Sequence, residues 1–258
     1  MQLGNSVVIV TGASSGIGLD IARALLREGA RVAFAARSTE RLARAVIETG
    51  EGARAVAVPL DVTDDASTAA AIAQVRDAFG RIDLLVNNAG NGGTLGLWSN
   101  SDSHSVRAMF DVHVFGAERM ARAVLPTMLE QHSGVIVNFA STVAWVPMPG
   151  ATAYSAAKAA VVAMSESLRA ELRDSGIDVR IFSPPHTSTD AGLQWPLDLP
   201  KIFTPDWVAD QFVRALRRDA VRATPGGNGA LLFIQRIAPA LATRIMHGLG
   251  FRALAKLR

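Results

Sequence analysis

This chain of 258 residues predicts an α/β domain: a parallel sheet of about seven strands with helices on both faces. Three observations carry that expectation. Short runs rich in valine and isoleucine alternate with longer amphipathic segments, the rhythm of repeated βα units. Hydrophobic residues make up 49% of the chain and charged ones 19%, which suits one large core and argues against disorder. A glycine-rich turn directly follows the first valine-rich run, where such folds hold phosphates on a helix N-terminus.

The elements follow in order. Residues 7–10 form a short buried-strand run that leads into the glycine turn. From 17 to 27, Ile21, Ala24 and Leu25 keep helical spacing, and Gly29 supplies the stop. Residues 31–36 read as the second strand, and Ser38 can cap a helix running to about 48. Residues 53–60 and 82–86 read as the third and fourth strands, with a helix over 65–79 between them. A long helix ending near Gln131 precedes a fifth strand at 134–139, and another helix follows over about 152–174. The sixth strand is expected at 179–182. After Pro184-Pro185 the chain is loop-rich until a helix near 205–217. A seventh strand near 221–224 precedes a turn at Gly226-Gly227-Asn228-Gly229. No repeat or linker divides the chain, so residues 1–230 are expected to form one nucleotide-binding catalytic domain and 231–258 a tail.

Composition excludes several classes. Cysteine is absent, so there is no disulfide framework or thiolate metal site; no metal is expected, and a reducing compartment fits. The N-terminus lacks a basic stretch followed by an apolar core, which argues against a secretory signal and for a cytoplasmic protein. Residues 131–157 carry no charge and are long enough to span a bilayer. They include Asn138, Ser141, Thr142, Pro147, Pro149 and Gly150, however, which suits a buried strand and a site loop better than lipid. The net charge of +3 comes from the tail, where Arg236, Arg244, Arg252, Lys256 and Arg258 stand without an acidic residue. Nucleic-acid binding by the domain is therefore not expected.

Chemistry is concentrated in three places. Tyr154 and Lys158 are four residues apart on an expected helix, so they share a face. A cation beside a phenol lowers its pKa from about 10 and fits it for proton exchange with an alcohol or carbonyl oxygen. Ser141, thirteen residues upstream, could hold the same oxygen. The turn Thr11-Gly12-Ala13-Ser14-Ser15-Gly16-Ile17-Gly18 lets backbone N–H groups approach a pyrophosphate. At the end of the second strand stand Ala36 and Arg37, a cation and no carboxylate, which suits a ribose 2′-phosphate and hence NADP(H) over NAD(H).

With Asn87-Asn88-Ala89-Gly90 after the fourth strand, these motifs resemble the short-chain dehydrogenase/reductase family. The subgroup indicated is the one with Thr-Gly-x-x-x-Gly-x-Gly and Tyr-x-x-x-Lys, over about residues 5–225. The resemblance implies a single Rossmann-type doubly wound domain, a homodimer or homotetramer, and hydride transfer between nicotinamide and a carbonyl or alcohol carbon. It casts Tyr154 as proton donor or acceptor. Lys158 would lower the tyrosine pKa and hold the nicotinamide ribose, and Ser141 would hydrogen-bond the reacting oxygen. Gly12, Ser14, Ser15, Gly16, Ile17 and Gly18 would cradle the cofactor, with Asp61 and Val62 at the adenine. Asn88 and Gly90 would lie near the adenosine ribose, and Thr187 and Thr189 near nicotinamide and pyrophosphate. Pro185 stands where the family usually has glycine, which stiffens the chain there and removes a backbone donor.

The family commonly has an asparagine before the fifth strand that helps hold a water leading from the lysine to solvent. Here the segment is Asp111-Val112-His113-Val114-Phe115-Gly116, with His113 in that place. A histidine could pack there passively or serve a pH-dependent proton relay. Leu193, Trp195, Pro196, Leu197, Leu199, Ile202 and Phe203, with Trp145, Val146 and Met148, would build a hydrophobic substrate pocket. The tail reads as a basic amphipathic helix interrupted by Pro239 and two glycines, suited to an anionic membrane surface, a subunit interface or a cover over the pocket. Two functions fit: an NADP(H)-dependent oxidoreductase, or a non-catalytic cofactor-binding sensor or scaffold. The complete Ser141, Tyr154 and Lys158 set favours the enzyme.

Overall fold

The computed structural model describes residues 1–257 apart from Asn91 and Thr94, together with all side chains in that range except those of Ala191 and Leu193. Arg258, counted among the tail cations, and the Leu193 side chain, expected in the pocket, lie outside the described residues.

Seven parallel strands form one sheet in the order β3-β2-β1-β4-β5-β6-β7. They are β1 (Val7–Thr11), β2 (Arg31–Ala36), β3 (Ala55–Pro59), β4 (Leu84–Asn87), β5 (Gly134–Phe139), β6 (Ile177–Phe182) and β7 (Arg222–Ala223). The alternation of side chains along a strand divides the core in two. Val8, Val10, Val32, Phe34, Leu84 and Val86 face α1 (Gly16–Arg27), α2 (Thr39–Thr49) and α8 (Pro205–Arg217). Val7, Ile9, Ala33, Ala35 and Leu85 face α3 (Asp65–Phe79) and α5 (Gly116–Glu130). Helix α6 (Thr152–Glu171) joins that second layer through Leu168. Strand order reverses between β1 and β4, and such a switch leaves a crevice at the carboxyl ends of the strands.

Most local signals hold. Ser38 caps α2 by accepting a hydrogen bond from the Arg41 N–H, and Gly29, in the left-handed region at φ 85°, turns the chain after α1. The long helix expected before β5 is three pieces: α4 (Ser103–Phe110), a π-helical turn over Asp111–Phe115, and α5. Inserted π turns are frequent at functional sites, and this one carries His113. A short α7 (Asp190–Leu193) breaks the expected loop.

The tail differs most from expectation. Asn228 begins α9 (Asn228–Ile237) instead of ending a turn, and Pro239 opens α10 (Pro239–Ala255) at its first position, where its missing N–H costs nothing. The two glycines do not interrupt α10. A Cβ on Gly250 would come within 2.6 Å of the Pro149 carbonyl oxygen, so glycine there lets the helix lie directly on the loop before α6. A third apolar cluster results, joining Ala242, Met246 and Ala253 to Val143, Met148 and Trp195. No helix among the described residues is long and apolar enough to cross a membrane.

Candidate active site

A cleft of about 780 Å3 opens at the carboxyl ends of β1, β4 and β5. Its floor is the glycine turn. Gly12 and Gly16 have φ of 71° and 55°, conformations that favour glycine, and a Cβ on Gly18 would sit 2.4 Å from the Gly12 carbonyl oxygen. Only a glycine frame allows the start of α1 to lie this close to β1. Thr11 fixes the turn from behind: its hydroxyl donates to the Val86 carbonyl and accepts from the N–H groups of Asn88 and Ala89, at 3.1, 3.0 and 2.9 Å. The Asn88 amide donates to the Thr11 carbonyl at 2.9 Å. The sequence showed Asn88 as a motif member but gave no sign that Thr11 ties the β4 end to the turn.

Helix α6 brings the reacting groups. A buried chain of amides positions it: Asn87 Nδ2 donates to Asn138 Oδ1, and Asn138 Nδ2 to Ser165 Oγ, both at 2.9 Å, linking β4, β5 and α6. One end of α6 presents Tyr154, whose hydroxyl shares a hydrogen bond with that of Ser141. One turn on, Lys158 is 5% exposed, and its Nζ donates to the Phe139 carbonyl at 2.6 Å. That nitrogen lies 5.7 Å from the Tyr154 ring centre. His113 and Trp195 meet the tyrosine ring edge-on at 5.5 and 5.3 Å, and Trp195 Nε1 donates to the Gly93 carbonyl. A Cβ on Gly90 would come within 2.1 Å of the His113 ring, so the histidine occupies its place only because residue 90 is glycine. A small cavity of about 10 Å3, room for roughly one water, is bordered by Lys158, His113, Thr11 and Asn87.

Electrostatics correct one expectation. The sequence predicts that Lys158 lowers the Tyr154 pKa. Instead, burial dominates and pushes the phenol up to about 12, against a smaller downward pull from the Ser141 hydrogen bond. Burial also pushes Lys158 down to about 7. A lysine whose charged form is disfavoured by burial lends the phenol less positive charge. The folded protein thus holds Lys158 near 7 against 10.5 in an open chain, and the unfolded state binds the extra proton between those values. Stability therefore rises with pH across that window. Relative to Lys158→Met, the wild type should gain roughly 4 kcal/mol in denaturant melts between pH 7 and 10.5. Parallel curves would contradict the buried lysine.

Most predicted residues converge. Gly12, Ser15, Gly16, Ile17, Gly18, Asn88, Gly90, His113, Ser141, Tyr154, Lys158, Thr187 and Thr189 all border the cleft. Thr189 caps α7 through its hydroxyl and packs its methyl against Gly16, while the Thr187 hydroxyl donates to the Pro185 carbonyl. Ser14, Arg37, Asp61 and Val62 do not line the cleft. Val62 turns its side chain into the core against Gly116, where only its backbone could flank a ligand. Asp61 is held below the usual carboxylate range, first by the Thr63 N–H and in part by the positive charge of Arg37. Ile202 is exposed and Phe203 stacks on Trp207 at 4.3 Å, so neither forms pocket wall as expected. Leu231, Ile234, Met246 and Leu249 of the tail line it instead. Their apolar spacing was visible in the sequence, but only the fold-back at Ala238-Pro239 shows which surface they cover.

Is the cleft suited to a dinucleotide? The glycine cradle closed to any Cβ, the N-terminus of α1 and the hydroxyls around it fit a pyrophosphate. Fold and cleft together define a nucleotide-dependent oxidoreductase. A family model described as short chain dehydrogenase matches residues 6–198, and the chain belongs to this short-chain dehydrogenase/reductase family. It is an oxidoreductase of C=O and CH–OH groups that uses a nicotinamide cofactor. The chain is 31% identical to the ketoacyl reductase HetN of Nostoc sp. over 96% of its own length and 90% of the relative's. It is 39% identical to 2-(R)-hydroxypropyl-CoM dehydrogenase of Xanthobacter autotrophicus, covering 76% and 80%. A short-chain dehydrogenase structure from Streptomyces avermitilis superposes with a TM-score of 0.82 at 33% identity, covering 93% and 94%. The 3-ketoacyl-(acyl-carrier-protein) reductase of Brucella melitensis, complexed with NADH, gives 0.80 at 28%, covering 86% and 95%.

Proposed function

We propose that this protein is an NADP(H)-dependent oxidoreductase of a hydrophobic carbonyl or alcohol, with Tyr154 as the proton-transfer group. The observation that carries this reading is the Tyr154–Ser141 hydroxyl pair, one helical turn from buried Lys158, beside a glycine cradle. The bound cofactor supplies or takes up the hydride. In reduction, the Tyr154 hydroxyl gives its proton to the substrate oxygen while the Ser141 hydroxyl donates a hydrogen bond to the same atom. Lys158 orients the cofactor ribose and passes protons toward His113. The glycine turn, Asn88, Gly90, Thr187 and Thr189 hold the cofactor in the cleft. Ser14, Asp61, Val62 and Arg37 serve its adenosine end outside the cleft.

Arg37 supports the cofactor preference. It stands exposed at the end of β2, close enough to Asp61 to affect that carboxyl, with Ala36 in place of an acidic residue. The wall beyond Tyr154 supports the substrate class, since Met148, Trp195, Leu197, Leu231 and Met246 offer apolar surface and little else. A panel of hydrophobic ketones, aldehydes and alcohols assayed with both cofactors tests the whole reading.

His113 deepens it. The ring borders the same water-sized cavity as Lys158. A proton leaving Lys158 can pass through this cavity to a ring nitrogen. The pH–rate profile of His113→Asn should differ in shape from that of wild type, because an imidazole titrates and an asparagine amide does not. Superimposable profiles would leave His113 as packing only.

A further inference from the structure

Helices α9 and α10 have two working faces. The inner one closes the substrate end of the cleft through Leu231, Ile234, Met246 and Leu249. The outer one is apolar and cationic. Phe233, Arg236 and Ile237 share one side of α9, and Leu241, Arg244, Ile245, Phe251 and Arg252 continue as a stripe along α10. Of the twelve exposed large hydrophobic side chains among the described residues, six lie between Phe233 and Leu257. Half of the exposed apolar groups in so short a segment make a patch, not the usual scatter. Ile245 belongs to both faces: it lines the cleft and is 44% exposed, so the cleft opens onto the patch.

Charge selects the occupant. From Leu231 to Arg258 there is no acidic residue. Lys256 lies 3.9 Å from Asp198, which leaves Arg236, Arg244 and Arg252, among the described residues, to set the charge of the face. A second copy docked symmetrically on this patch would bring two like-charged faces together with no acidic side chain on either to offset them. An anionic lipid surface meets both needs: arginines reach the headgroups while their stems and the neighbouring Phe and Ile side chains enter the acyl boundary.

We propose that α9 and α10 dock the protein on an anionic lipid surface, and that a lipophilic carbonyl or alcohol dissolved there enters the cleft past Ile245. The entry route rests on the hydrophobic-substrate reading above; the docking does not.

The test uses the full chain and vesicles of phosphatidylcholine with or without phosphatidylglycerol. The wild type should sediment with the anionic vesicles and stay in solution with the neutral ones. The triple variant Arg236→Glu, Arg244→Glu, Arg252→Glu should lose about a hundredfold or more in partitioning. Phe233→Ser with Phe251→Ser should lose at least about tenfold. Both variants should keep wild-type kcat/KM on a short water-soluble carbonyl and fall behind on a lipophilic one presented in anionic vesicles. Equal sedimentation with both vesicle types, or none with either, overturns the proposal. So does a dimer in sedimentation velocity that the arginine variant abolishes, because the face would then be a self-interface. Should the serine variant unfold, the arginine variant decides alone, since its side chains are exposed. If the wild type binds anionic vesicles but reduces no carbonyl, docking stands and the substrate reading fails.

Discussion

Tyr154→Phe should lower kcat for carbonyl reduction by about 10²- to 10⁴-fold while leaving KM nearly unchanged, because one positioned proton donor is worth that much. The substitution removes a single oxygen. The ring contacts with His113 and Trp195 at 5.5 and 5.3 Å remain available, so the fold should be retained. Stopped-flow or steady-state assays at saturating cofactor check it, and near-normal turnover would remove Tyr154 from the chemistry. The pH dependence follows from burial. A phenol pushed up to about 12 keeps its proton through the neutral and mildly basic range. Reduction, which needs the protonated form, should hold level from pH 8 to 10. Alcohol oxidation needs the phenolate and should climb over the same range. Lys158, held at about 7 by its own burial, adds no charge change above pH 8 that would reverse this. Oxidation that is flat over this range would show that a cation restores phenolate in the working enzyme.

Arg37→Ala should reduce kcat/KM with NADPH by about 10- to 100-fold, the value of one or two hydrogen bonds to a charged group, and change the NADH value little. Adding Ala36→Asp should invert the preference, because a carboxylate suits a 2′-hydroxyl and repels a 2′-phosphate. Arg37 is exposed and outside the core, so Arg37→Ala should leave the melting temperature near that of wild type, whereas Ala36 is buried at the end of β2 and an aspartate there should lower it. Equal losses with both cofactors would mean that Arg37 does not distinguish them.

Much of the fold was legible because the signals are local. The strands at 31–36 and 134–139 and the helices at 65–79 and 205–217 have the expected limits, set by runs of Val and Ile and by caps. The π turn at Asp111–Phe115 was not legible: nothing in that segment breaks helical spacing, and the contacts His113 makes there with Gly90 and Tyr154 come from elements distant in sequence. The reacting groups were legible by spacing alone, but their pKa values were not. Four residues on a helix put phenol and ammonium together, whereas desolvation depends on the Trp195, His113 and tail side chains that close over them. The tail was legible as amphipathic and basic. A cover over the pocket was one of the three places its pattern allowed; Gly250, which looks like a breaker in sequence, acts as a close-packing contact that seats α10 there.

The most direct test is steady-state kcat/KM of the purified wild type with NADPH and with NADH across hydrophobic ketones and aldehydes, followed at the nicotinamide absorbance. The expected result is carbonyl-dependent oxidation of NADPH, preferred over NADH by at least about tenfold. Tight cofactor binding without turnover of any carbonyl or alcohol would contradict it and make the protein a sensor or scaffold.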